Sequence, residues 1–183
     1  EPVTQSTLSV VGAFLGLSRE RSDARRYPAI DPLISWTKYQ TMVGKELSSK
    51  IAHWDSKVKR ALWILQEGSE IQKRMEVVGE EGTALGEMII YLKSELYEIC
   101  YLQQNAFDTE DAYSPLDRQV EMFTLIDEIF EKNFSFSSHE EARHYFFSLQ
   151  SEMKNINYLT FQSEEYVKAI ENVKQGIESE ENL

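Results

Sequence analysis

LGEMIIYLKSELYEI, residues 85 to 99, is the stretch of sequence that decides the fold. Its apolar residues recur every three or four positions, which places them on one face of an α-helix. A strand would need alternation with a period of two. The sequence therefore predicts an amphipathic helix whose apolar face consists of Leu85, Ile89, Leu92, Leu96 and Ile99.

The same periodicity lies on both sides of this helix, from about residue 45 onward. The further apolar stripes are Ile51, Trp54, Val58, Leu62 and Leu65; Phe123, Ile126 and Phe130; and Tyr166, Ile170, Val173 and Ile177. GEEGTALG, residues 79 to 86, fits a turn between two helices, and Ser138 with Glu141 fits a capping box. The predicted fold is mainly α, a bundle of about five helices.

Residues 1 to 40 have a different character. TLSVVGAFLGL, residues 7 to 17, is β-branched and apolar without helical periodicity, and it predicts a strand or two short strands. No other segment offers a partner strand. Ser18 is a candidate N-cap for a short helix. RRYPAIDPL, residues 25 to 33, contains two prolines too close together for one regular element, which predicts a shaped loop around Tyr27.

The composition excludes several classes of function. The 183 residues carry a formal net charge of -12, which repels nucleic acid and anionic lipid surfaces. No apolar run approaches the roughly 20 residues that a membrane helix needs, and no signal peptide is evident. The chain is expected to be cytoplasmic, with Cys100 as a small buried residue.

The sequence alone predicts no catalytic centre and no metal site. In HEEARH, residues 139 to 144, the two histidines are five positions apart and point away from each other, whereas a zinc helix needs a spacing of four. The glycine cluster at 79 to 86 lacks the lysine and hydroxyl of a phosphate-binding loop.

LQQNAFD, residues 102 to 108, combines amides with an aromatic ring at the end of the second helical stripe. Such a set can hold a purine, because the ring stacks on the base while amides meet its polar edge. On pattern alone the favoured alternative is an amide-rich helix end with Phe107 packed in the core.

Three phrases in order, EPVTQSTL, RRYPAIDPLISW and YLQQNAFD, resemble the C-terminal part of the catalytic A subunit of V-type rotary ATPases. The resemblance covers residues 1 to about 135. It implies that residues 1 to 40 are the tail of an α/β nucleotide-binding domain, and that residues 41 to 183 form the helical C-terminal domain.

The resemblance also implies the roles of particular residues. The adenine of bound nucleotide would lie between Tyr27 and a second segment formed by Gln104, Asn105, Ala106 and Phe107. The turn between the first two helices would contact the central rotor through Gly79, Glu80, Glu81, Gly82, Thr83, Ala84 and Leu85.

The resemblance implies that the full subunit binds ATP or ADP with Mg²⁺. In the full complex, hydrolysis or synthesis of ATP would be coupled to proton or sodium transport. The non-catalytic B subunit and the central stalk would be the partners, and the subunit would be peripheral on the membrane without inserting into it. The phosphate loop of the family is absent here, so this chain by itself is expected to be inactive. Two alternatives stay open: a non-enzymatic acidic helical interaction module, and a fragment of the related F-type β subunit.

Overall fold

The computed structural model describes residues 2 to 179, and over this range the protein is mainly α-helical. Within this range it divides into two compact units, the first ending at residue 62 and the second beginning at residue 63. In chain order the elements are α1 (Pro2–Val10), β1 (Ala13–Phe14), α2 (Arg19–Asp23), β2 (Trp36–Thr37), α3 (Gln40–Leu47), α4 (Trp54–Val78), α5 (Leu85–Tyr97), a π-helical turn (Glu98–Leu102), α6 (Thr109–Ala112), α7 (Leu116–Glu131), α8 (His139–Ile156) and α9 (Glu164–Ser179).

The strand predicted over residues 7 to 17 is largely wrong. Residues 7 to 10 belong to α1, where Pro2 lies in the first turn and its missing N–H costs no helical hydrogen bond. Only β1 is extended, and it pairs antiparallel with β2. The expectation that the segment lacks a partner strand is also wrong. The partner was missed because two residues are too few to show a period.

The predicted short helix and shaped loop of the first unit are confirmed. Ser18 caps α2 by accepting a hydrogen bond from the Arg21 N–H at 3.2 Å. The proline-containing loop is fastened to the segment before α2 by two backbone hydrogen bonds. Ser18 N donates to Ala29 O at 2.9 Å, and Asp31 N donates to Gly16 O at 2.8 Å.

The second unit contains a well-packed helical core. Helix α5 packs against α7 and α8, and α8 packs against α9. The stripes predicted on α7 and α9 are buried throughout. On α4 the predicted face is displaced. Leu62 is exposed and the buried side runs through Ala61, Ile64, Leu65, Gly68 and Ile71.

Helices α4 and α5 form a hairpin whose two arms come very close together. A Cβ on Gly68 would lie 2.3 Å from Ser94 Cβ, so only glycine permits this approach. Nearer the turn, Arg74 of α4 pairs with Glu87 of α5 at 2.8 Å. The hairpin is therefore a tightly packed two-helix arm that ends in the turn at residues 79 to 84.

Lys93 connects α5 to the end of α7. Its Nζ donates to Phe130 O at 3.0 Å and to Lys132 O at 2.7 Å, two carbonyls at the helix C-terminus that have no helical partner. Burial lowers the pKa of Lys93 to about 8. The predicted burial of Cys100 is confirmed, and burial raises the pKa of its thiol to about 12.

Candidate functional site

Tyr27 lies in the first unit, on the loop that follows α2. Its peptide bond to Pro28 is cis, and 51% of the side chain is exposed. The phenol oxygen lies 3.4 Å from Ser22 O and 3.5 Å from Ser22 Oγ, so the ring leans back on α2. The loop thus leaves about half of Tyr27 exposed while its backbone stays hydrogen-bonded to the unit.

Phe107 lies in the second unit and is fully exposed, at 100%. The alternative prediction that this ring is packed in the core is therefore wrong. Its backbone N–H donates to Asn105 Oδ1 at 3.1 Å, and Asp108 N donates to Asn105 O at the same distance. A tight turn closed by the Asn105 side chain holds the ring outward.

Asp111 organises the loop that carries Phe107. Its carboxylate accepts the Asn105 N–H at 2.6 Å, and its carbonyl accepts Gln104 Nε2 at 3.2 Å. Burial raises the pKa of Asp111, while the Asn105 N–H and the Arg118 guanidinium act in the opposite direction. No sequence pattern pointed to Asp111. Its contact with the loop spans six residues, and no periodic signal marks such a contact.

Arg118 closes the inner side of this loop. The side chain is 2% exposed, and Nη2 donates to Ile156 O at 2.7 Å. Its guanidinium lies 5.4 Å from the centre of the Tyr166 ring. A cavity of about 230 Å³ lies here, lined by Gln104, Asp111, Arg118, Asn157 and neighbouring residues. The side of the Phe107 loop that faces the helices therefore lies over a polar network that includes Asp111 and Arg118.

The turn between α4 and α5 is confirmed, and its residues differ in exposure. Gly79 adopts a left-handed φ of +78°, and a Cβ on Gly82 would lie 2.8 Å from Val78 O. Both positions therefore require glycine. Thr83 is buried, and its hydroxyl donates to Gly79 O at 3.0 Å. The exposed members of the turn are Gly79, Glu80, Glu81, Gly82 and Ala84, and Leu85 is half-buried.

The N-terminal end of α8 contacts the loop between α4 and α5. His139 Nε2 is 2.8 Å from Thr83 O, and Arg143 forms an ion pair with Glu80. His144 is exposed on α8. Within residues 2 to 179, no group of three or more metal-ligating side chains of the His, Cys, Asp or Glu type lies together. The HEEARH segment therefore contacts the turn through its first residue and through Arg143.

The part of the chain that the structure describes contains no helix with the length and apolarity to cross a membrane.

Comparison with known proteins first gives the class of the protein. Residues 49 to 146 match the family described as the C-terminal domain of V and A type ATP synthase. This match covers more than half of the 183 residues, and the chain belongs to this family. The family resemblance inferred from EPVTQSTL, RRYPAIDPLISW and YLQQNAFD is thereby confirmed.

Individual relatives sharpen this assignment. The chain is 59% identical over 180 residues to the V-type ATP synthase alpha chain of Protochlamydia amoebophila, covering 98% of this chain and 30% of the relative. It is 57% identical over 178 residues to the protein of the same name from Chlamydia pneumoniae, covering 97% of this chain and 30% of that relative. The chain thus spans less than a third of the length of these relatives.

Proposed function

We propose that this chain is the C-terminal region of the catalytic subunit of a V-type ATP synthase or ATPase. Residues 1 to 40 would complete the nucleotide-binding domain, and residues 41 to 183 would form the helical domain. The high identity to V-type alpha chains over nearly the whole chain supports this proposal. The mainly helical architecture agrees with it.

In this proposal the chain supplies the adenine-facing part of the site. The observation that carries it is the fully exposed ring of Phe107 on a turn closed by Asn105 and held by Asp111. A bare aromatic ring on a firmly hydrogen-bonded loop can stack on a base with little loss of conformational entropy. The proposal also assigns adenine contacts to Tyr27 and to Gln104, Asn105 and Ala106, which precede Phe107 in the sequence.

The rest of the reaction would take place in the whole subunit. ATP or ADP with Mg²⁺ would be bound there, and turnover would be coupled to proton or sodium movement through the complex. The sequence has no G-x-x-x-x-G-K-[ST] motif, so the 183-residue chain alone is expected to hydrolyse no ATP. The non-catalytic B subunit and the central stalk would be its partners, the stalk through residues 79 to 85, and the complex would hold it at the membrane surface.

The adenine contact is tested in the full-length subunit, by measuring affinity for ADP and for pyrophosphate. We expect Phe107→Ala to weaken ADP binding about fivefold, since aromatic stacking contributes about 1 kcal/mol. Pyrophosphate affinity should not change, because that ligand has no base. Phe107→Tyr should restore the affinity for ADP.

The matched control is Phe147→Ala, which removes another exposed phenylalanine, at 72%, from α8. It should leave both affinities unchanged. Equal ADP affinities for Phe107→Ala and Phe147→Ala would refute the adenine contact. Turnover by the 183-residue chain that persisted after mutation of Tyr27 and Phe107 would refute the wider proposal.

A further inference from the structure

The contacts between the start of α8 and the turn at residues 79 to 84 suggest a function for HEEARH, which the zinc motif does not explain. His139 and Arg143 are four positions apart, and residues at that spacing share one helix face. Both side chains on this face contact the turn. His144, five positions after His139, lies off that face and is exposed.

His139 contacts the turn at its most buried residue. Thr83 O is an acceptor, so His139 Nε2 must carry the proton that is donated over 2.8 Å. Thr83 is 7% exposed, and its own N–H donates to Glu80 O at 3.0 Å. The imidazole therefore binds a backbone group that is already fixed within the turn.

Arg143 lies four residues after His139 on α8 and also contacts the turn at residues 79 to 84. It pairs with Glu80, and the two side chains are about half-exposed, at 49% and 46%. An ion pair at this exposure contributes little to global stability, typically below about 1 kcal/mol. Its effect here is geometric, because it joins an acid of the turn to a helix distant in sequence.

Helix α8 is itself anchored on both sides of these contacts. Ser138 accepts the Glu141 N–H at 3.2 Å, and the Glu141 carboxylate accepts from Ser137 N and Oγ, each at 2.6 Å. Hydrogen bonding to Ser137 lowers the pKa of Glu141. Further along, α8 buries Ala142, Phe146 and Leu149. A load on the turn therefore reaches the core through α8 as well as through the hairpin.

We propose that His139 and Arg143 are positioning residues that brace the turn at residues 79 to 84 against displacement when it is pushed. The inference rests on the proposed rotor contact of this turn. The turn contains two obligatory glycines, Gly79 and Gly82, which cannot stiffen it by themselves. The brace supplies that stiffness, and Glu80 is engaged by α8 instead of serving as an independent charge on the rotor.

The experiment uses the complete ATPase complex in sealed vesicles, where ATP hydrolysis and ion pumping are measured together. Arg143→Glu and Glu80→Arg should each lower the number of ions pumped per ATP hydrolysed, and the double exchange should restore it. His139→Phe should lower the same ratio, whereas His139→Gln keeps a donor and should retain much of it. Affinity for ADP should not change in any variant.

Hydrogen exchange in the complex gives an independent reading of the brace. Loss of the His139 contact should speed exchange of the Thr83 N–H about fivefold, corresponding to about 1 kcal/mol. Loss of the half-exposed Arg143–Glu80 pair should speed it by a smaller factor. The matched control exchanges Glu70 and Lys73, an exposed pair on α4 at 3.0 Å in the same hairpin. Its single and double variants should alter neither exchange at Thr83 nor the pumping ratio.

The outcomes separate the brace from the rotor contact. Replacing residues 79 to 84 with a glycine-serine linker should abolish pumping. If the linker leaves pumping intact, the rotor contact itself is refuted. If the linker abolishes pumping while the His139 and Arg143 variants pump normally, the brace alone is refuted. Faster exchange at Thr83 with an unchanged pumping ratio also refutes a positioning role.

Discussion

The two compact units of the chain differ in how they handle their apolar side chains. Among the described residues, those before 63 leave large apolar groups exposed, including Val10, Leu15, Leu17, Ile34 and Met42. The residues after 62 bury most of theirs, with Met88, Ile126, Ile129 and Met153 all at 0%. The second unit therefore has a core of its own, whereas the described residues of the first unit bury few apolar side chains, among them Ile51 and Ala61.

The difference shows how loops are held in each unit. In the first, the proline-containing loop is fixed by backbone pairing with residues 16 to 18 and by Ser35, whose hydroxyl donates to Asp31 O at 2.6 Å. In the second, the loop bearing Phe107 is supported by a buried acid and a buried arginine over a packed core. Hydrogen bonds with few packed apolar side chains around them open easily, while those over a packed core open only with it.

The largest expected effect is a cavity in the core of the second unit. Ile126→Ala should lower the free energy of unfolding by about 2 to 5 kcal/mol, since the side chain is fully buried. Leu17→Ala, at a side chain 78% exposed, should change it by less than about 0.5 kcal/mol. Urea denaturation of the chain followed by far-UV circular dichroism measures both. Equal losses would contradict the contrast between the units.

A smaller effect is expected from two matched helix caps. Ser138 and Ser18 both accept an N–H three residues on, at 3.2 Å in each case. Ser138→Ala should cost about 1 kcal/mol, because α8 is long and packed. Ser18→Ala should cost only a few tenths of that, because α2 has five residues and none is buried. The same denaturation experiment applies, and a larger loss at Ser18 would overturn the ranking.

A third expected effect is a change in the pH dependence of stability at Lys93. Its pKa is lowered to about 8 in the folded protein from 10.5, so between these values the unfolded chain binds more protons. Stability contributed by this group must therefore rise from pH 8 to pH 10.5. The neutral amine keeps two N–H groups for its two carbonyl acceptors.

The check compares the protein with Lys93→Met across this pH range. The unfolding free energy of the protein with Lys93 should rise relative to that of Lys93→Met as the pH rises. The contributions of the other titrating groups are the same in both proteins and cancel in the difference. Lys38→Met in the first unit is the control, because Lys38 Nζ donates to Ser9 O from an exposed position. A flat difference for Lys93 would show that burial does not disfavour its charge.

Much of the helical unit followed from the sequence because long amphipathic helices repeat their signal. The stripes of α7 and α9 and the buried Cys100 were predicted correctly. The α4 face was displaced because Ala61 and Gly68 carry little apolar weight, yet both face the packed side. The strand predicted over residues 7 to 17 was largely wrong, because β-branched composition without a period cannot separate a short helix from a short strand.

The candidate site was predicted unevenly for the same reason. The composition of residues 102 to 108 pointed to Phe107, but its exposure could not be predicted, since an aromatic at helical spacing is usually buried. Asp111 gave no signal, because its role depends on the path of the loop. The sequence pattern offered His139 only as half of a histidine pair with the wrong spacing for zinc, and it assigned no role to Arg143. Their contacts with the turn link residues more than 50 positions apart.

By itself the sequence determined that this protein is mainly helical, where its long helices and its main turn lie, and which family it belongs to. Those properties depend on local periodicity, on caps and on short phrases, which are written in neighbouring residues. Tertiary structure alone decided that Phe107 is exposed to solvent, that Asp111 binds the loop that carries Phe107, and that α8 contacts the turn between α4 and α5. Such facts depend on contacts between distant segments, which form only when the core brings them together.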